Sequence, residues 1–428
     1  MIIKNGTIVD PAEGIMETGT LYIKGNRVEK MIPGQYSPQA SDAEDTVIDA
    51  EGKYVIPGLI DLHVHFRDPG QTYKEDIATG AAAAAAGGVT TVCAMPNTSP
   101  TVDSVETLRY VLDKAAKEAP IRVEQVSAIT LGEGNETLVD ISAMKQAGAI
   151  AFSEDGKSVM DTALFREGLR QIAAVDGVVM SHCEDKDLVA GGVMNAGPKQ
   201  EELGYPGITN AVEDVIAARD IFMANEQGVQ LHLCHCSTKG TVELMRMAKR
   251  LGYRVTAEVC PHHFTLTDAD IPGDEGNWKM NPPLRSEEDV RALIEGLRDG
   301  SMDVISTDHA PHGEDEKKNG FRSPFGIVGL ETSAALTFTA LVAPGLITMQ
   351  RMVELMSATP AKIIRVDHER GTLRAGALAD VVIFDPNTEW TVDPEKFRSK
   401  GKNTPYAGKT LLGRVVTTIC DGKIVYQS

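Results

Sequence analysis

Apolar residues in this chain gather in short runs, and most of those runs end in polar or reactive side chains. The run Tyr54-Val55-Ile56-Pro57-Gly58-Leu59-Ile60 leads directly into Asp61-Leu62-His63-Val64-His65-Phe66-Arg67-Asp68-Pro69-Gly70. Comparable runs follow at 89–94, 122–129, 149–152, 178–180, 229–233, 254–259 and 302–305. Their length and composition predict strands. Between them, segments such as 103–117 and 161–175 carry apolar residues at helical spacing and predict helices. Eight strands alternating with helices point to an α/β chain built on a parallel (β/α)8 barrel of the TIM-like type.

The two ends lack this rhythm. Residues 1–54 alternate apolar and polar positions around Asn5-Gly6 and Gly25-Asn26, both of which predict hairpin turns. The same style returns in Ala379-Asp380-Val381-Val382-Ile383-Phe384 and again between Val415 and Tyr426. Isolated hairpins are marginal on their own. The two ends are therefore expected to fold together as one small discontinuous β domain, residues 1–54 with 367–428, around a barrel over 55–366. The run Ala81–Ala86, closed by Gly87-Gly88, reads as a tightly packed helix flank.

In a parallel barrel, side chains at the C-terminal ends of the strands converge on one site. His63, His65, Asp155, His182, His235 and Asp308 all fall at such ends, on five different strands. Residues two apart on a strand face the same side, so His63 and His65 can reach one metal together. An isolated H-x-H is more often a pair satisfied by hydrogen bonds; four further ligand-type residues at equivalent places shift the reading to a metal site. Four histidines and two aspartates suit two zinc-like ions. Two ions about 3.5–4 Å apart can hold a bridging hydroxide and polarise a carbonyl. Asp155 is the candidate bridge between them; a carboxylated Lys157 is the alternative. Asp308, closing the last strand, fits a general base that later protonates a leaving nitrogen.

Composition narrows the partners. The formal charge of −19 argues against nucleic acid or an anionic membrane. No apolar run is long enough to span a bilayer, and Met1–Gly6 already reads as strand and turn, so no signal peptide is expected. The six cysteines are scattered, which favours a reducing cytoplasm over a disulfide framework. Cys234 and Cys236 flank His235 without a second pair at zinc-finger spacing, and read as small residues packed behind it. His262 and His263 read as structural, His309 as support for a metal ligand, and His232 as packing. The polar segment Gly313–Pro324 reads either as a mobile lid or as an ordinary exposed loop.

The motifs Asp61–Gly70, Met95-Pro96-Asn97-Thr98, Ser181-His182-Cys183-Glu184-Asp185, Asn281-Pro282-Pro283-Leu284-Arg285 and Ser306–His312 resemble those of the dihydroorotases of the amidohydrolase superfamily, in their bacterial class I form. The likeness runs almost end to end. It implies a reversible cyclisation of N-carbamoyl-L-aspartate to (S)-dihydroorotate and water, in pyrimidine synthesis. It implies two Zn2+ per subunit: one on His63 and His65 with Asp308, the other on His182 and His235, with Asp155 bridging both. Many relatives bridge with a carboxylated lysine; Ser153-Glu154-Asp155-Gly156 departs from that pattern and resembles the branch whose bridge is an aspartate. The resemblance also implies that Arg67, Asn97 and His312 bind the substrate carboxylate. Asn281 and the backbone of Phe325-Gly326 would hydrogen-bond the ring amides, and His65 and Asp308 would also touch the substrate. It leaves open a homodimer and an association with aspartate transcarbamoylase. Two alternatives remain. One is another cyclic amidase, such as allantoinase or dihydropyrimidinase, which does not need the arginine after H-x-H. The other is a silent scaffolding subunit, which is expected to have lost metal ligands.

Overall fold

Gly58 divides the first apolar run into two strands that serve different sheets. Tyr54–Pro57 joins a sheet built from the chain ends, whereas Leu59–Val64 opens the barrel. A Cβ at position 58 would lie 2.1 Å from Thr90 Oγ1, so only glycine lets the chain pass this close to the next barrel strand. A continuous apolar stretch cannot reveal such a break, because both halves are buried. The structure, a computed structural model, describes residues 1–37 and 46–428; positions 38–45 of the N-terminal segment lie outside the described residues.

The barrel consists of two parallel arcs. Leu59–Val64, Val89–Ala94 and Arg122–Gln125 form the first. Ser127–Ala128, Phe152–Ser153, Val178–Ser181, Gln230–Leu233, Val255–Val259 and Val304–Ile305 form the second, in chain order. The third strand links them through a break at Val126, whose N–H donates to Ala94 while the next N–H donates to Ala151. The ring closes where Val64 bridges His309, with the His65 N–H donating to the His309 carbonyl at 2.8 Å. Eight parallel strands alternating with helices match the architecture expected from the chain's periodicity.

Helices cover the barrel, and their starts follow capping chemistry. Val105–Glu118 begins after Ser104, and Thr162–Ala174 after Asp161; each cap accepts from backbone N–H groups of the first turn. The alanine run lies in the helix Ile77–Ala86, where Ala81 and Ala83–Ala85 are buried and Thr418 Oγ1 of the terminal sheet donates to the Ala85 carbonyl. Small side chains let this helix sit between the barrel and that sheet.

The terminal sheet runs Lys423–Gln427, Thr410–Cys420, Val381–Thr391, Tyr54–Pro57, Ile2–Asp10, Ile15–Lys24, Arg27–Pro33, with Val47–Asp49 also beside the strand at Ile2. Val381–Phe384 pairs antiparallel with Tyr54–Pro57, which brings the C-terminal strands onto the N-terminal ones. Ile3, Ile8, Leu21, Val55, Val381 and Ile419 share one apolar core. Gly25-Asn26 is the expected hairpin turn between two of these strands. Asn5-Gly6 is not a turn. It lies inside Ile2–Asp10, where the register slips between Ile3 and Gly6 and Asn5 adopts φ 62°. Buried Ile8 and Val9 continue the strand, so the Asn-Gly pair becomes a bulge.

Candidate metal centre and substrate pocket

The first barrel strand delivers His63 and His65 to the mouth of the barrel. His63 Nε2 lies 3.2 Å from Asp155 Oδ1 and 3.7 Å from Asp308 Oδ1. His65 Nε2 lies 2.9 Å from Asp308 Oδ1 and 3.5 Å from Asp155 Oδ2. Across the mouth, His182 Nδ1 meets His235 Nε2 at 2.9 Å, with Asp155 Oδ1 3.7 Å from each of those nitrogens. Asp155 thus stands between the two histidine pairs, and all six candidate ligands converge. Arg67, His235 and Asp308 turn through φ 58°, 34° and 49° at their strand exits. For side-chain-bearing residues this region costs roughly 1–3 kcal/mol each and persists where the surroundings hold it.

The electrostatics are those of a site built around positive charge. Burial pushes the His63 imidazole down, but the Asp155 carboxylate beside it overrides this and holds its pKa well above the usual value. Burial would raise Asp155; the positive charge of His63, with the His235 and His65 imidazoles close by, holds it well below the carboxylate range instead. Asp308 is likewise brought down to about 2, because the His65 bond and the His63 charge outweigh its burial. The donor set fits divalent metal. His63 Nε2 and Asp155 Oδ1 are buried without hydrogen-bond partners. Two imidazole nitrogens aimed at one another beside a carboxylate oxygen are a poor hydrogen-bond arrangement and a good cation-binding one. The donor atoms of His63, His65 and Asp308 lie within 4.8 Å of one another, as do those of His63, Asp155 and His235.

A second layer of buried carboxylates orients these rings. Glu258 accepts from His63 Nδ1 at 3.0 Å, from the His235 backbone N–H at 3.1 Å, and pairs with His232 Nε2 at 3.0 Å. His232 is therefore part of this network, not packing. Asp61 caps the His63 and Thr307 backbone N–H groups. Glu184 lies 3.5 Å from His182 Nε2. Such partners fix the tautomer and raise the basicity of metal-binding imidazoles. The sequence reading missed them, although a glutamate inside the apolar run Val255–Val259 was the available signal. His309 turns its ring to Glu75 at 3.4 Å and supports His65 only through its backbone carbonyl. His263 Nε2 bonds the Pro282 carbonyl at 2.9 Å, a structural contact. Lys157 is half exposed and donates to the carbonyls of Gly132 and Glu133, away from the ligands.

Above the ligands lies a cavity of about 170 Å³ lined by His65, Arg67, Asn97, Asp155, His182, His235, Asn281, Asp308, Phe325 and Gly326, among others. Asn97 accepts from or donates to its neighbours on both sides: its Oδ1 lies 2.9 Å from His65 Nδ1, and its Nδ2 donates to Asp155 Oδ2 at 3.0 Å. Asn281 Nδ2 donates to Glu184. Arg67 Nε donates to the Pro311 carbonyl at 3.3 Å, and His312 stands 3.5 Å from its guanidinium. His312 Nε2 in turn donates to the Phe325 carbonyl at 2.7 Å. The residues expected to bind substrate thus share one wall and rim. Gly313–Pro324 is fastened down: Phe321 and Lys317 are buried, and Glu316 meets Lys74 at 3.1 Å and Tyr73 at 3.0 Å.

Comparison with known proteins bears on this geometry. Residues 52–241 match the model of a family described as dihydro-orotase-like. The dihydroorotase of Citrifermentans bemidjiense is 46% identical over 429 residues, covering 100% of both chains. That of Listeria innocua is 44% identical over 427 residues, covering 100% of this chain and 98% of its own. The chain belongs to the dihydroorotase family. Among solved structures, the L-hydantoinase (dihydropyrimidinase) of Arthrobacter aurescens superposes with a TM-score of 0.89 at 27% identity, covering 100% of this chain and 96% of its own. The chain therefore shares its fold with a protein named for a different substrate. Among the described residues, no helix is long and apolar enough to cross a membrane.

Proposed function

We propose that the chain is a zinc-dependent dihydroorotase that interconverts N-carbamoyl-L-aspartate and (S)-dihydroorotate in pyrimidine biosynthesis. The observation that carries this is Arg67, placed in the wall of the same pocket as the six ligands. His63, His65 and Asp308 would hold one zinc ion, His182 and His235 the other, with Asp155 between them. When bound, such ions polarise the substrate carbonyl and make water a better nucleophile at neutral pH. In hydrolysis, water adds to the ring amide carbonyl, the carbon–nitrogen bond breaks, and the nitrogen leaves protonated. Asp308, ionised and aimed at the pocket, takes the proton from the attacking water and returns it to that nitrogen. Arg67, with Asn97 and His312 beside it, binds the carboxylate and sets the ring's orientation. Asn281 and Phe325-Gly326 meet the ring amides. A guanidinium matches a carboxylate bidentately. The enzyme is read as cytoplasmic, with no nucleic-acid or membrane partner; a homodimer and a complex with aspartate transcarbamoylase fit this reading equally.

The reaction assignment has a pH signature. Closure converts a substrate with two carboxylates into a product with one and consumes a proton. Above a carboxyl pKa of about 4, the product-to-substrate ratio at equilibrium is expected to fall roughly tenfold per pH unit. Chromatography of equilibrated mixtures from mild acid to alkali checks this; a flat ratio removes the assignment.

Asp155, not Lys157, is expected to bridge. Lys157→Ala should keep about two zinc ions per chain and near-normal turnover, whereas Asp155→Ala should lose metal and activity together. Metal analysis of both purified variants decides; metal loss in Lys157→Ala would transfer the bridge to the lysine.

A further inference from the structure

Lys317 is a buried lysine that the reaction does not use. Its Nζ donates to three backbone carbonyls: Lys279 at 3.1 Å, Pro324 at 2.9 Å and Gly326 at 2.9 Å. Three acceptors saturate the three N–H bonds of an ammonium. Burial first, and then the charge of Lys279, push its pKa down to about 7, with Glu316 opposing. A charge placed among carbonyls at such a penalty is a built feature, because desolvation is tolerated only where every donor is met.

The three carbonyls belong to the two edges of the substrate pocket. Lys279 lies two residues before Asn281, and its carbonyl also accepts the Gly326 N–H at 3.0 Å. Its own ammonium donates to the Phe321 carbonyl at 2.8 Å and lies 4.2 Å above the Phe325 ring. Gly326 lines the pocket at φ 129°, where a Cβ would lie 2.7 Å from that of Ala310. We propose that Lys317 is a positioning residue: by pinning the carbonyls of Lys279, Pro324 and Gly326, it holds the Asn281 edge and the Phe325-Gly326 edge at the separation that the substrate ring requires. The proposal rests on the dihydroorotase reading for the identity of the substrate. It makes Gly313–Pro324 a fixed buttress of the pocket and not a lid.

The test is steady-state kinetics on dihydroorotate with metal content measured alongside. Lys317→Met is expected to raise KM at least about tenfold with kcat within about threefold of wild type, the pattern of lost ground-state and transition-state binding together. Lys317→Gln, which keeps two N–H donors, should fall between. Zinc content should not change in either variant. An unchanged KM in a folded variant overturns the proposal, and so does a parallel loss of kcat and zinc. If the methionine variant does not fold, the glutamine variant alone must raise KM at least about threefold at constant kcat. Failure of both to fold also overturns it, since Lys317 would then serve stability. Wild type that does not turn over dihydroorotate indicts the substrate reading instead, and is seen before any variant is made.

Discussion

Arg67→Met is expected to lower kcat/KM on dihydroorotate at least about a hundredfold while leaving slow turnover of dihydrouracil nearly unchanged. The two rings differ chiefly by one carboxylate, which needs a charged partner once it leaves water. Leaving a fully buried charge without its partner costs about 3–5 kcal/mol. Arg67 is half-buried, so solvent screens part of that loss, and a hundredfold, about 2.8 kcal/mol, is the appropriate lower expectation. The guanidinium lies in the pocket wall beside His312 and is held by the Pro311 carbonyl, so the substitution is expected to leave the candidate metal ligands in place. Parallel assays on both substrates decide the matter. Equal weakening on the two, or a wild-type preference for dihydrouracil, would mean that the arginine does not set specificity. This comparison also separates the chain from the hydantoinase-type enzymes that share its fold.

Asp308→Asn should reduce turnover at least roughly a hundredfold, the usual contribution of a general base. The side chain keeps its shape but can no longer accept a proton. In the folded protein Asp308 is held to about 2, first against burial by the His65 bond and then by the His63 charge, so it is ionised at neutral pH. Asp308 is also a candidate metal ligand. Zinc content must therefore be measured in the same preparation. Low turnover with full metal assigns the proton transfer to Asp308; near-normal turnover with full metal excludes it; loss of metal confines its role to binding.

The regularities of the chain that lie close together in sequence were legible in it. Strand parity put His63 and His65 on one side, and the alternation of apolar runs with helical segments disclosed the barrel. Given a barrel, the ends of the strands singled out Asp155, His182, His235 and Asp308, because closure gathers the C-terminal ends of all the strands around one mouth.

Other features depended on partners remote in sequence. Glu258 bonds His63 across 195 positions, and no local pattern couples them. The same problem hid the role of His232, which reads locally as packing but meets Glu258 in the folded chain. Lys317 looked like one charge among many in a polar loop; only the packed chain brings three carbonyls to its nitrogen. Local signals were also overruled. Asn5-Gly6 has turn chemistry, yet the burial of Ile8 and Val9 keeps the strand going through it. The apolar run at 54–60 gave no hint of its division at Gly58, since hydrophobicity reports that a residue is buried and not which of two sheets buries it. Local sequence thus determined the elements and the chemical types at their ends; the tertiary structure decided the second layer of carboxylates, the three carbonyls around Lys317 and the point where one sheet gives way to the other, because each depends on close contact between segments that the sequence keeps apart.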